Sequence, residues 1–126
     1  MKKNKIAYVP LAVDILHTGH LNIINTAKKY GKVIIGLLSD SAISEYKDLP
    51  TLNYEERYKI VKSLKDVEQI IKQNTWDYSE ILESLKPDFF VHGDDWKKGI
   101  QKKTREKVIK LLKKNKGKLI EVAYTK

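Results

Sequence analysis

At 126 residues, with 41% hydrophobic and 33% charged side chains, the chain has the length and composition of one folded domain, read as spanning residues 1–126, and not of a disordered segment. No apolar run reaches the roughly 18 residues of a membrane span, and the absence of cysteine excludes disulfides and thiolate sites, which fits a cytoplasmic protein. The formal charge of +9 raises the question of a nucleic-acid partner.

In chain order, the lysine-rich start leads into a short apolar run over residues 6–9, a strand too short to be a signal sequence core. His17-Thr18-Gly19-His20 then opens a helix over residues 18–30 that closes at Gly31, with Thr18 as the expected N-cap. Further strands are predicted over residues 33–38, 67–71, 88–92 and 119–123. Helices are predicted over residues 54–64, 78–85 and 103–114, with Asn53 and Asp77 as N-caps. Continuous Val/Ile/Leu runs mean strands buried on both faces, and strict alternation with helices means right-handed crossovers. The expected fold is a single α/β Rossmann-like domain, a five-stranded parallel sheet with helices on both faces. No repeat, low-complexity tract or linker interrupts it.

The charge is concentrated. Eleven of the 25 Lys and Arg residues fall between Lys97 and Lys118, where Glu106 is the one acid. Val108, Ile109, Leu111 and Leu112 recur there at helical spacing, so the stretch reads as an amphipathic helix with a basic outer face. Nucleic-acid binders interleave aromatics or arginines with such lysines; here Arg105 alone does so, and no specific nucleic-acid partner is expected.

The chemistry gathers where strands end, because ligands of such sheets bind beyond the carboxyl ends. Two of the three histidines, His17 and His20, occupy the first strand-to-helix turn. That turn aims backbone N–H groups and the positive end of a helix dipole above the sheet. Gly19 leaves room for a phosphate, and two imidazoles three residues apart can donate to one anion. Asp14, Ser39-Asp40, the loop over residues 44–50, Gly93-Asp94-Asp95-Trp96 and Tyr124-Thr125-Lys126 complete the same edge.

These residues resemble the small cytidylyltransferases of the HxGH nucleotidyltransferase superfamily, to which glycerol-3-phosphate cytidylyltransferases belong. The resemblance runs through Asp14-x-x-His17-x-Gly19-His20, Tyr54-Glu55-x-Arg57, Trp76 and Gly93-Asp94-Asp95-Trp96. HxGH alone is shared with adenylyltransferases and class I aminoacyl-tRNA synthetases; the later element narrows it. Within the group the chain is most similar to the 2-aminoethylphosphonate cytidylyltransferases of phosphonate biosynthesis, which often occur fused to phosphoenolpyruvate mutase. That likeness lies in Gly36 to Ile43, Tyr46-Lys47-Asp48-Leu49-Pro50, Val91 to Gly99 and Gln101 to Arg105.

The resemblance implies direct displacement: an anionic acceptor oxygen attacks the α-phosphorus of CTP and pyrophosphate leaves, so catalysis consists of alignment and charge neutralisation. It implies His17, His20 and Lys47 as catalytic, Lys47 also touching the acceptor unless it is a solvated loop lysine. Leu11, Ala12, Asp14, Gly19, Gly93, Asp94, Asp95, Trp96, Tyr124 and Thr125 would bind nucleotide. Mg²⁺ would take Asp14 and Asp95 as ligands, although Asp14 could instead orient His17 and Asp95 contact the nucleotide. Trp96 either walls the cytosine or fills the core. Trp76, Asp77 and Tyr78 are the expected acceptor residues, an acid and an aromatic ring suiting an ammonium; Asp77 as a cap and Tyr78 as packing are the plain alternatives.

Two departures stand out. Many relatives begin the first motif Gly-Thr-Phe-Asp where this chain has Leu11-Ala12-Val13-Asp14, and the family usually follows the last strand with a triphosphate-binding segment, whereas this sequence ends at Tyr124-Thr125-Lys126. The resemblance further implies a homodimer. Glycerol 3-phosphate, phosphoethanolamine and phosphocholine are alternative acceptors, and a non-catalytic nucleotide- or nucleic-acid-binding module is the reading from another class.

Overall fold

The computed structural model of the chain describes residues 5–14, 16–45, 50–97 and 101–123. Strands β1 (Ile6–Leu11), β2 (Lys32–Leu38), β3 (Val67–Gln73), β4 (Phe89–Gly93) and β5 (Lys118–Val122) form one sheet in the order β3-β2-β1-β4-β5. Every pairing is parallel. The helices are α1 (Thr18–Lys28), α2 (Asp40–Ser44), α3 (Tyr54–Lys62), α4 (Ser79–Leu85) and α5 (Lys102–Lys114), with a 3-10 turn at Asp94–Lys97. The α/β layer read from the sequence is the one that forms.

Alternation along the central strands sorts side chains to two cores. Ala7, Val9, Val33, Ile35, Leu37 and Val91 pack with Ile24 and Ala27 of α1 and Val61 of α3. Tyr8, Ile34 and Phe90 face the other way, onto Tyr78, Leu82 of α4, Trp96, and Val108 and Leu112 of α5. Each fully buried Leu or Ile contributes roughly 1.5–3 kcal/mol of transfer free energy, and this two-sided burial is what holds a parallel sheet together.

Burial on both faces fails at the edge. Glu68, Gln69 and Lys72 of β3 are exposed, because β3 has a neighbour on one side only. On α5 the core face is Val108, Leu111 and Leu112; Ile109 is 37% exposed and stands outside it.

The caps differ from expectation at two helices. His17, not Thr18, caps α1, since its ring nitrogen accepts from the Gly19 N–H. Asp77 does accept the Ser79 N–H at 3.0 Å, but the cap position is Tyr78, so α4 begins one residue later than predicted. Asn53 caps α3 as expected, in a reciprocal box with Glu56. Helix α2 was not predicted: five residues are too few to show a helical period, and its signal is the Ser39 hydroxyl accepting from the Ala42 N–H.

Sequence neighbours run outward from β1 to β2 and β3 on one side, and from β4 to β5 on the other. The direction reverses between β1 and β4. Their carboxyl ends splay there, and a doubly wound sheet binds its ligand in that crevice.

Candidate active site

A cavity of about 230 Å³ opens at the crevice, lined by Leu11 and Ala12 at the end of β1, His17, Gly19 and His20 at the start of α1, and His92, Gly93 and Asp95 at the end of β4 and just beyond. Trp76 and Tyr78 close its far side together with Gln101.

The two histidines hold each other. His17 Nδ1 accepts from the Gly19 N–H at 3.0 Å, and His20 Nδ1 accepts from the His17 N–H at 3.2 Å, a capping box made of imidazoles. An accepting Nδ1 carries no proton, so in the neutral ring the proton is on Nε2. The rings stack with centroids 4.1 Å apart and planes 30° apart. The cap thus fixes both tautomers, with the proton of each neutral ring on Nε2, at the positive end of α1.

Arg57 holds the loops around them. It is completely buried, and its guanidinium makes four hydrogen bonds: Nε to the Leu52 carbonyl at 3.0 Å, Nη1 to the Ala12 and Leu38 carbonyls at 2.8 and 2.7 Å, and Nη2 to Asp40 at 2.6 Å. One side chain of α3 therefore ties together the end of β1, the end of β2 and its own N-terminal approach. Asp14 accepts from the Leu52 N–H at 3.0 Å and joins the same assembly. Between Ala12 and Asp14, Val13 adopts φ 54°, a left-handed conformation that β-branched residues avoid. Such backbone costs on the order of 1–3 kcal/mol, offset here by burial of the Val13 side chain and the grip of Arg57 on Ala12.

Across the crevice, Gly93 ends β4. A Cβ there would sit 3.1 Å from Asp95 Oδ1, so glycine lets the Asp95 carboxylate fold back over the strand end. Among the described residues no cluster of three or more His, Asp or Glu side chains could hold a metal. Magnesium needs no such cage, since it is commonly held by one or two carboxylates and the substrate's phosphates. Asp95, on the cavity wall, fits that role; Asp14 does not line the cavity.

Trp96 does not line the cavity either. Its ring is 2% exposed, packed in the second core, with Nε1 donating to Glu121 at 2.7 Å. Glu121 also takes two hydrogen bonds from Arg105, at 2.8 and 3.0 Å, and Arg105 and then Trp96 hold its carboxyl below the ordinary range. His92, stacked on Trp96 at 3.7 Å and 7°, presents itself to the cavity instead. Strand alternation explains this: residues 90 and 92 face the side of α4 and α5, where Trp96 packs.

On the acceptor side, Trp76 is buried with Nε1 donating to the Ala42 carbonyl, and its ring lines the cavity. Asp77 turns away. It binds Ser79 and Lys107, the latter at 3.0 Å, and these bonds, Ser79 first, lower its pKa to about 2. It lines a neighbouring cavity, shared with Trp76, Tyr78 and Lys103. Tyr78 is buried with its hydroxyl unpaired, and burial pushes its pKa up. Asp94 lies beside Asp95 in the 3-10 turn and does not line the cavity. Lys47, Tyr124 and Thr125 lie outside the described residues.

Sequence reasoning gave no role to His92, Gln101 or Arg57. Arg57 stood in a quoted motif, but nothing in its spacing says that four bonds converge on it.

The chain matches the cytidylyltransferase-like family over residues 13–122. It is 34% identical over 96 residues to an ethanolamine-phosphate cytidylyltransferase of Dictyostelium discoideum, covering 75% of this chain and 27% of that protein. An FAD synthase of Aciduliprofundum boonei is 32% identical over 102 residues, 78% of this chain and 68% of that one. The chain thus spans about a quarter of the first relative and two thirds of the second. Among solved structures, the lipopolysaccharide core biosynthesis protein of Thermoplasma volcanium shares the fold, with a TM-score of 0.82 at 21% identity over 97% of this chain and 98% of that one. Among the described residues no helix is long and apolar enough to cross a membrane.

Proposed function

We propose that this chain, which belongs to the cytidylyltransferase-like family, transfers CMP from CTP to the phosphonate oxygen of a small aminoalkylphosphonate, 2-aminoethylphosphonate, and releases pyrophosphate. The observation that carries the nucleotidyl-transfer reading is the histidine capping box, which fixes two imidazoles at a helix N-terminus on the wall of the crevice. The long sequence likeness at residues 36–50 and 91–105 supports the phosphonate acceptor, and the aromatic wall of Trp76 and Tyr78 suits its aminoethyl arm.

In this reading the anionic phosphonate oxygen forms a bond to the α-phosphorus while the bond to the bridging oxygen breaks, and its electron pair leaves with pyrophosphate. No proton has to be abstracted from the acceptor. His17 and His20 donate to the α- and β-phosphate oxygens and to the bridging oxygen as charge builds on it. Lys47 is proposed to steady the α-phosphate and the acceptor. Asp95 would hold magnesium, which would supply shielding of the outer phosphates.

A second reading keeps the chemistry and changes the acceptor to phosphoethanolamine, favoured by the name of the Dictyostelium relative. The test is pyrophosphate release from CTP and Mg²⁺ with each acceptor, ATP serving as the nucleotide control. A clear preference for 2-aminoethylphosphonate supports the first reading; preference for phosphoethanolamine replaces it with the second.

A further inference from the structure

We propose that His92, together with Gln101 and Tyr78, is the element that recognises the primary amine of the acceptor, through neutral hydrogen-bond acceptors. The inference deepens the acceptor reading above and rests on it.

His92 is the one histidine outside the capping box. Its Nδ1 lies 2.8 Å from the Gly93 carbonyl, which can only accept, so the ring proton is on Nδ1 and Nε2 carries a lone pair. This is the opposite tautomer from His17 and His20, which offer donors to the same cavity. The ring is held flat, stacked on Trp96 at 3.7 Å and parallel to Phe90 at 6.4 Å and 3°. Burial also pushes its pKa down, which favours the neutral ring.

Two further groups on that wall await a donor. The Tyr78 hydroxyl and the Gln101 side-chain oxygen are both buried without a hydrogen-bond partner, and both residues line the cavity. Such groups are rare in folded proteins and are stabilised when a ligand supplies the missing bond. Tyr78 belongs to the second core, His92 stacks on Phe90 and Trp96 of that core, and Gln101 is the N-cap residue of α5; all three line the cavity that His17 and His20 also line.

The ligand chemistry follows. A primary ammonium has three N–H donors and no acceptor, matching a neutral lone pair, an amide oxygen and a hydroxyl. A quaternary ammonium has none, and an amine-free acceptor would leave the buried groups unpaired. Among the described residues no Lys or Arg lines this cavity, so no cation there repels an ammonium. Asp77, the acid expected to do this work, is engaged by Ser79 and Lys107.

The test compares kcat/KM for matched pairs: 2-aminoethylphosphonate against ethylphosphonate, and phosphoethanolamine against ethyl phosphate, with the N-trimethylated phosphonate as a charged acceptor lacking N–H. The wild-type protein is expected to favour the amine in the pair it uses by about 100-fold or more, because a site built for hydrogen bonding rejects the analogue lacking it. His92→Phe, which keeps the stack on Trp96, and separately Gln101→Met should each cut that ratio by about tenfold. Turnover of the phosphate-ester pair alone would remove the phosphonate reading and leave the amine inference standing. A wild-type ratio near one, a trimethylated acceptor used as well as the primary amine, or a ratio unchanged in both variants would overturn it. Calorimetric binding of the pair it uses, with CTP present, gives the same ratio without turnover, and equal affinities there would overturn it too.

Discussion

Replacing Arg57 by Met keeps the length of the buried stem and removes the guanidinium. Four hydrogen bonds are lost, and the Ala12 and Leu38 carbonyls lose their partner. Removing one member of a buried ionic contact costs about 3–5 kcal/mol. Asp40 is 40% exposed and regains water when its partner goes, which places the loss at the low end, near 3 kcal/mol. For a chain of this length that corresponds to a fall in Tm of roughly 10–15 °C. Urea unfolding followed by circular dichroism should show an earlier midpoint with the slope unchanged. Arg57→Lys retains the charge and three donors but not the planar fork, and should recover about half of the loss. CTP binding should weaken in Arg57→Lys, because the Ala12 loop is held by that fork. An Arg57→Met protein within about 1 kcal/mol of wild type would refute the claim that this side chain organises the site.

Other consequences follow from the same geometry. His17→Asn should keep the cap of α1, since asparagine is a good N-cap, and hold stability within about 0.5 kcal/mol while turnover falls by about 10²–10³; equal losses in stability and turnover would mean the residue is only a cap. Glu121→Gln should destabilise by about 1–2 kcal/mol, as Arg105 loses its ionised partner. The folded-state pKa of Glu121 is depressed, so its contribution is complete above the usual carboxylate range and is lost as pH falls through the lowered value. The variant should therefore show a flatter loss of stability in acid, measured by urea midpoints from pH 6 downward. Tyr8→Phe removes a buried hydroxyl that donates to Gln73 and should cost about 1–2 kcal/mol in the same assay, leaving CTP affinity unchanged.

Much of this was written in the residues. Apolar runs marked the strands, and their alternation with helices pointed to a parallel sheet, because burying both faces of a sheet leaves few other solutions; the strand order itself was not read. The histidine turn was legible as the link between the first strand and the first helix, on the edge where such a sheet binds ligands. Its internal wiring was not. Cap preferences point to Thr18, and only coordinates show that an imidazole takes the cap and thereby sets the tautomers. Trp96 and Asp77 were placed by motif and charge, yet side-chain direction decided their roles: strand alternation and the 3-10 turn put Trp96 in the core, and Lys107, thirty positions on, drew Asp77 outward. Arg57 illustrates the general limit, since the carbonyls it holds lie up to 45 residues away in the chain.

The central claim is tested most directly by following CTP, Mg²⁺ and 2-aminoethylphosphonate with the protein by phosphorus NMR, alongside His17→Asn. The account predicts pyrophosphate together with a new phosphonate–phosphate anhydride from the wild type, and neither at a comparable rate from the variant. Equal product from both proteins, or no product from the wild type with the phosphonate or with phosphoethanolamine, would contradict it.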